Sequence, residues 1–513
     1  MRPLPQRLLL LSIVASVGCA SRTALQSDPA PPPGLSVGPS VGPTLDALTA
    51  TLATAPRQSG GTAAVNGAGG APKPEKGEPW RLQAALGLPS WLAVSGSQRT
   101  RFENLDGEFR GGRGGSNQSW AFQTRVDVTA RKDAWRAGVE VIDSRLHDQP
   151  LDETPDTTNV NALELLQGYI AYTEKSAFAD GDSLDILAGR HTMDVGSRRL
   201  VARNAFRNTI NSFTGLNAVW KGAQKEQVRA FVVSPVNRLP SDAEGLRDND
   251  VEFDEELRQT RLFGVHAERP ILGDGRTIGE LYVIRLDEDD EEDVNTRNRD
   301  LWTAGARILR RPAKGKLHFE WESMYQTGDS RSNTNPANTT DLDHRAHYHH
   351  LMLGYQFADE HRTRIEGLFD YASGDRDSTD GEQNRFDTIF GARRWEYGPT
   401  GIFGPFARAN MLSPGLRLTL SPFERTQVML THRLHYRAST ADAWTVAGLN
   451  DPDGARFIGH FTEGRVIYDV VPESLQFELG VAFLQGGGLI EDTASADWDG
   501  DSAYVYVGTN FSF

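Results

Sequence analysis

From about residue 92 to residue 513, apolar side chains return at every second position. Trp120, Phe122, Thr124, Val126 and Val128 fall on one side of an extended chain, with Ala121, Gln123, Arg125, Asp127 and Thr129 on the other. Successive side chains of a strand point to opposite faces, so such a segment separates an apolar surrounding from a polar one. The pattern recurs over 317–327, where Leu317, Phe319, Trp321, Ser323 and Tyr325 oppose His318, Glu320, Glu322, Met324 and Gln326. In the first strand, Ser95, Ser97, Arg99, Arg101 and Glu103 share a face. Further strands are expected near 163–173, 227–234, 260–268, 277–286, 301–310, 348–357, 362–371, 415–420, 425–436, 456–470 and 475–485. In the last, Val505, Val507, Thr509, Phe511 and Phe513 alternate with Tyr504, Tyr506, Gly508, Asn510 and Ser512. A soluble antiparallel sandwich gives the same alternation around a dry core. Many such strands, with turn residues between them and no convincing helix, point instead to an all-β antiparallel barrel with lipid outside and an aqueous lumen inside.

Composition narrows the choice. Mean hydropathy is −0.47 and no run of about 18 apolar residues occurs, which excludes a helical membrane protein. A barrel is compatible with both, because only alternate residues of its strands are apolar. The net charge of −15 argues against a nucleic-acid partner. Cys19 is the only cysteine, so there is no intramolecular disulfide framework. Residues 1–20 read as an export signal, with Arg2 and Arg7 ahead of the apolar stretch Leu8 to Val17. Ser16-Val17-Gly18-Cys19 is an imperfect lipobox, and cleavage after Ala20 is the alternative to lipidation at Cys19. Residues 21–79, rich in Pro, Gly and Ala, read as a disordered linker, and 80–513 as the barrel.

Within the barrel, residues 186–220 stand out. Arg198, Arg199, Arg203 and Arg207 fall within ten residues between two strand-like runs. Guanidinium grips carboxylate through two parallel hydrogen bonds, so the segment suits a surface that meets acidic groups. No Walker loop, GxSxG elbow, HExxH or barrel cysteine is present, and no enzyme activity is expected. Glu320 and Glu322 are lumen neighbours by alternation rather than a demonstrated acid–base pair. The acidic run 287–293 reads as a solvated loop tip, with Ca²⁺ the one cofactor it could hold. Asp375, Asp377 and Asp380 miss the EF-hand spacing. His344, His347, His349 and His350 read as a loop-to-strand edge rather than a metal site.

Gly189-Arg190-His191, Gly196, Arg199-Leu200-Val201, Phe206-Arg207-Asn208, Phe213 and Gly215 follow one another in an order that resembles the alginate export family of outer-membrane β-barrels. Upstream, Glu140 and Asp143-Ser144-Arg145 look like the same family's acidic–basic strand end. Downstream, Phe369 to Asp375, Phe386 to Phe390, Gly398 and Gly401-Ile402-Phe403-Gly404 extend the likeness, which runs from about residue 92 to 513. His191 and Phe206 stand where Gln and Trp are expected. The resemblance implies about 18 strands in the outer membrane of a Gram-negative bacterium. It also implies passive conduction of an anionic, alginate-like polysaccharide, and a periplasmic scaffold of a secretion complex as partner.

Alternation puts Arg99, Arg101 and Arg125 on the lumen face, and the resemblance adds Arg145, Arg190, Arg199 and Arg207 to the expected lumen set, balanced by Glu140, Asp143 and Asp194. Each could instead be a cross-strand ion pair that stiffens the wall. Sequence physics alone supports an anionic solute. An uptake porin for small acidic sugars or other nutrients is the alternative, and a soluble periplasmic β-protein is the third class.

Overall fold

The computed structural model describes residues 79–110, 115–150, 155–291, 294–451, 454–493 and 500–513. The expected export signal, the lipobox at Cys19 and the linker lie outside these residues, save for Pro79.

The alternating segments form the wall of one closed antiparallel barrel of 18 strands. β1 (Leu92–Asp106), β2 (Ser116–Lys132), β3 (Trp135–His147), β4 (Asn161–Lys175), β5 (Ser183–His191), β6 (Phe213–Lys221) and β7 (Gln227–Asn237) follow one another around it. A two-residue strand, β8 (Glu255–Glu256), pairs with the end of β7. The wall continues through β9 (Thr260–Pro270), β10 (Thr277–Glu288), β11 (Asp300–Arg310), β12 (Lys316–Ser330), β13 (Leu342–Gln356) and β14 (Arg364–Ala372). A second two-residue strand, β15 (Glu382–Gln383), lies parallel to the start of β13. Then come β16 (Met411–Leu420), β17 (Thr426–Tyr436), β18 (Phe457–Val471), β19 (Leu475–Gly486) and β20 (Asp501–Ser512). β20 pairs with β1, so no wall strand has an open edge.

Connections at the end where the chain enters are short turns, and those at the other end are long loops, of which 373–410 is the longest. In outer-membrane barrels the short turns face the periplasm. Outward positions carry the apolar residues: Trp120, Val126, Ile170, Leu216, Leu353 and Val505 are all exposed. Aromatic rings mark two rims, with Phe102 and Trp120 packed 5.1 Å apart toward the loops and Trp135 and Tyr172 5.0 Å apart at the turns. Trp80 stacks on Phe511 at 6.1 Å and a short helix, Leu82–Leu86, leads into β1.

The inward positions do more than line a channel. On the loop side an apolar core packs inside the barrel, with Phe403 stacked on Tyr504 at 5.1 Å and the Trp444 Nε1–H donating to the Pro405 carbonyl at 2.8 Å. The histidine run lies within β13 rather than at a loop-to-strand edge, and alternation sends His344 and His350 inward and His347 and His349 outward.

Candidate functional site

Two connections, 192–212 and 373–410, fold back into the barrel and meet there. Ala202 N donates to Phe390 O at 3.1 Å, Phe390 N to Leu200 O at 2.9 Å and Ala392 N to Arg198 O at 2.6 Å. The result is a backbone-bonded crosspiece through the lumen. It needs glycine at 391, where a Cβ would stand 1.7 Å from the Arg199 carbonyl oxygen. Phe213 and Phe390 pack edge to face across it at 5.5 Å.

Wall residues seat the crosspiece from both sides. On β1, the Arg99 guanidinium donates to the carbonyls of Ala205 and Arg207, and Arg101 Nη1 to Phe206 O at 2.6 Å. Gln123 Nε2 and Ser144 Oγ both donate to Asn208 O, at 2.6 and 2.5 Å. Glu103 accepts from Ile402 N at 2.8 Å and from the Tyr504 hydroxyl at 2.7 Å. Opposite, Arg199 pairs with Glu320 at 2.6 Å, with Glu396 at 2.8 Å and with Glu322, while Arg408 also binds Glu396. Arg394 pairs with Glu463 at 2.6 Å, and Arg297 and Arg299 both hold Asp387.

Electrostatics differs from group to group. Burial works against the charge of Arg199, but Glu320 and Glu396 outweigh it and hold the guanidinium well above its ordinary range. At Arg393 the one carboxylate that helps, Asp156, is outweighed. Arg393 donates to Phe406 O at 2.8 Å, makes no ion pair among the described residues, and is pushed down to about 9 by burial and by Arg110 and Arg408. Burial, then Arg238, also lowers Arg207 well below the usual guanidinium value, although the Arg207 Nη2 donates to Asn211 Oδ1 at 2.8 Å.

The expected site residues divide into two groups. Arg99, Arg101, Arg125, Glu140, Asp194, Arg199 and Arg207 all lie inside the barrel. Glu140 ties the wall to the crosspiece, accepting from Arg203 at 3.0 Å and standing 3.4 Å from Arg125. Asp194 accepts from Arg203 N at 2.8 Å through Oδ1 and is exposed. Asp143, Arg145 and Arg190 correct the expectation, because they lie on the outward face. Asp143 and Arg145 share a side of β3 with Trp135 and Val139 and pair with each other at 2.9 Å. Arg190 shares a side of β5 with Ile186 and is covered by the loop around β8, where it binds Glu164 at 2.8 Å and Glu256 at 2.7 Å.

The described carboxylates of the two acidic loops bond largely to backbone N–H groups. In the acidic run, Asp290 accepts from Thr296 N at 2.8 Å and Arg331 at 2.9 Å, and Glu291 from Gln259 N at 2.8 Å; residues 292–293 lie outside the described residues. Asp375, Asp377 and Asp380 accept from the backbone N–H groups of Asn384, Thr379 and Glu382. Sequence reasoning missed Arg393, Arg394, Glu396 and Arg408. The signal was there, in an Arg-Arg pair set among glycines.

The comparisons with known proteins agree with this architecture. The P. aeruginosa OpdK structure with vanillate is 11% identical with a TM-score of 0.52, covering 82% of this chain and 98% of that one. P. aeruginosa OccK9 (OpdG) is 13% identical with a TM-score of 0.53 over 82% and 98%. A BenF-like porin from Pseudomonas fluorescens Pf-5 is 9% identical with a TM-score of 0.52 over 82% and 99%. Identities this low speak for the fold alone, which is that of outer-membrane porins. Among curated proteins none matches the chain. The alginate export family model matches residues 90–500. Family and fold are those of a channel rather than of an enzyme class, and the chain belongs to the alginate export family of outer-membrane β-barrels in Gram-negative bacteria.

Proposed function

We propose that this channel passively conducts an anionic saccharide outward, a polyuronate of the alginate class, and the arginine excess of the crosspiece is the observation that carries the reading. Segments 192–212 and 373–410 hold nine arginines, among them Arg198, Arg199, Arg203, Arg393, Arg394 and Arg408, against seven carboxylates, in a chain whose net charge is −15. The crosspiece itself therefore carries a small positive excess within a negative chain, part of it paired with the wall carboxylates Glu320, Glu322, Glu463 and Glu140. A cationic constriction lowers the barrier to a carboxylated chain, and interleaved carboxylates keep each contact weak enough to release it. The reading includes an export signal over 1–20, a linker over 21–79 and a periplasmic secretion scaffold at the turn-side mouth.

The test is single-channel recording of the detergent-folded protein in planar bilayers, with and without added polyuronate. Anion-selective current that polyuronate blocks is expected, with both properties weakened in Arg198→Gln/Arg203→Gln. Cation preference, or current indifferent to polyuronate, would overturn the reading. Uptake of a small acid is the second reading, favoured by the fold shared with OpdK, which was solved with vanillate. Block by monomeric uronate but not by polymer would select it.

A further inference from the structure

On the lumen side of the wall, His266 and Glu268 of β9 converge with Glu280 of β10. One ligand atom from each lies within 4.8 Å of the others. Glu268 stands directly across from Glu280 in the ladder, and His266 across from Tyr282. Glu280 divides its two oxygens. One accepts from Arg307 at 2.7 Å, and the other lies 3.1 Å from His266 Nε2. Tyr282 stacks on the imidazole with centroids 6.0 Å apart, which fixes the plane of the ring.

Two observations set this group apart. Glu268 accepts no hydrogen bond from any described residue, although it directly faces a second carboxylate. Like charges opposed across a ladder repel; Arg307 is shared with Glu320 at 3.0 Å, and the nearby Arg229 and Arg311 make no hydrogen bond to Glu268. The space above the group is also kept bare. Gly196 of the crosspiece sits over it with φ +52°, and a Cβ there would come 2.9 Å from His266 Nε2 and 3.0 Å from Glu280 Oε2.

We propose that His266, Glu268 and Glu280 bind one divalent transition-metal ion of the zinc type on the lumen wall. One imidazole nitrogen with two carboxylates is a donor set that zinc accepts at four-coordination, with the fourth position open to water or a passing carboxylate. Calcium, which takes six to eight oxygens, is poorly served by it. Arg307 and Tyr282 orient two of the three ligands, as outer partners of metal ligands commonly do. The site is independent of which solute the channel carries.

The experiment titrates Zn²⁺ alone, in competition with a chromophoric chelator, into untagged, metal-stripped, detergent-folded full-length protein. Wild type should take up one ion per chain. Glu268→Gln, which disturbs no wall hydrogen bond, should weaken uptake at least about tenfold. Co²⁺ should give a visible d–d band that is lost in His266→Gln, with heat-modifiable gel migration reporting that both variants are folded. Absence of stoichiometric uptake by wild type, uptake unchanged in both variants, or a preference for Ca²⁺ over Zn²⁺ would each overturn the assignment.

Discussion

Replacing Glu396 by Gln removes one carboxylate from the centre of the crosspiece. Its oxygens accept from Arg199 Nε at 2.9 Å and from Arg408 Nη2. Arg199 keeps Glu320 and Glu322, but Arg408 has no other carboxylate partner among the described residues. It keeps the Arg199 carbonyl at 3.4 Å, the rings of Tyr348 and Tyr397 at 5.8 Å and a neutral amide oxygen in place of the carboxylate, on a side chain that is 1% exposed. The variant therefore strands a buried cation. Breaking a buried pair from one side costs about 3–5 kcal/mol, or roughly two to three and a half orders of magnitude in the equilibrium that seats the crosspiece. The wall ladder is untouched, so the cost falls on the two inward segments and not on the barrel. Amides of 192–212 and 386–410 should exchange hydrogen far faster than in wild type, and single-channel current should become larger and noisier, while heat-modifiable migration stays normal. The double variant Glu396→Gln/Arg408→Met removes the stranded cation and should regain most of the protection, since replacing both members of a pair is close to neutral. Wild-type protection and conductance in the single variant, or a double variant no better than the single, would refute the reasoning.

Two further outcomes follow from the loops. Asp254, in the connection between β7 and β9, is pushed up to about 6, first by burial and then by Glu164. The folded state then binds this proton more tightly than the unfolded chain, whose carboxyl titrates near about 3.9. Its stabilising contribution is therefore complete below about pH 4 and is lost as pH rises through about 6. Limited proteolysis of the 238–259 loop should be faster at pH 7 than at pH 5, and Asp254→Asn should abolish the difference. Arg190→Ala should loosen the same loop, because it frees Glu164 and Glu256. Since Arg190 lies on the outward face, the reversal potential in a salt gradient should not move; a shift would place it in the lumen after all.

Much of the wall was legible because alternation is a local signal. Residues 120–129 fix their own faces, and Trp120 and Val126 are exposed while Gln123 is buried. The parity of β3 was legible too, since Trp135, Ala137, Val139 and Val141 carry Asp143 and Arg145 outward with them. β5 was not. Ile186, Leu187 and Ala188 are all apolar, so the segment has no alternation of its own, and only pairing of Leu187 with Asn217 on β6 decides which side faces the lumen.

Sequence by itself determined an alternating, mostly apolar-out chain and an arginine-rich segment at 198–207, because these properties are set by neighbours two or a few residues apart. Tertiary structure alone decided which arginines meet the lumen. Arg199 is 121 residues from Glu320 and 197 from Glu396, and it is the inward folding of two loops that brings the three together. The same folding sets Gly196 over His266 and Glu280. Contacts over such separations depend on closure of the whole barrel, and no local pattern records them.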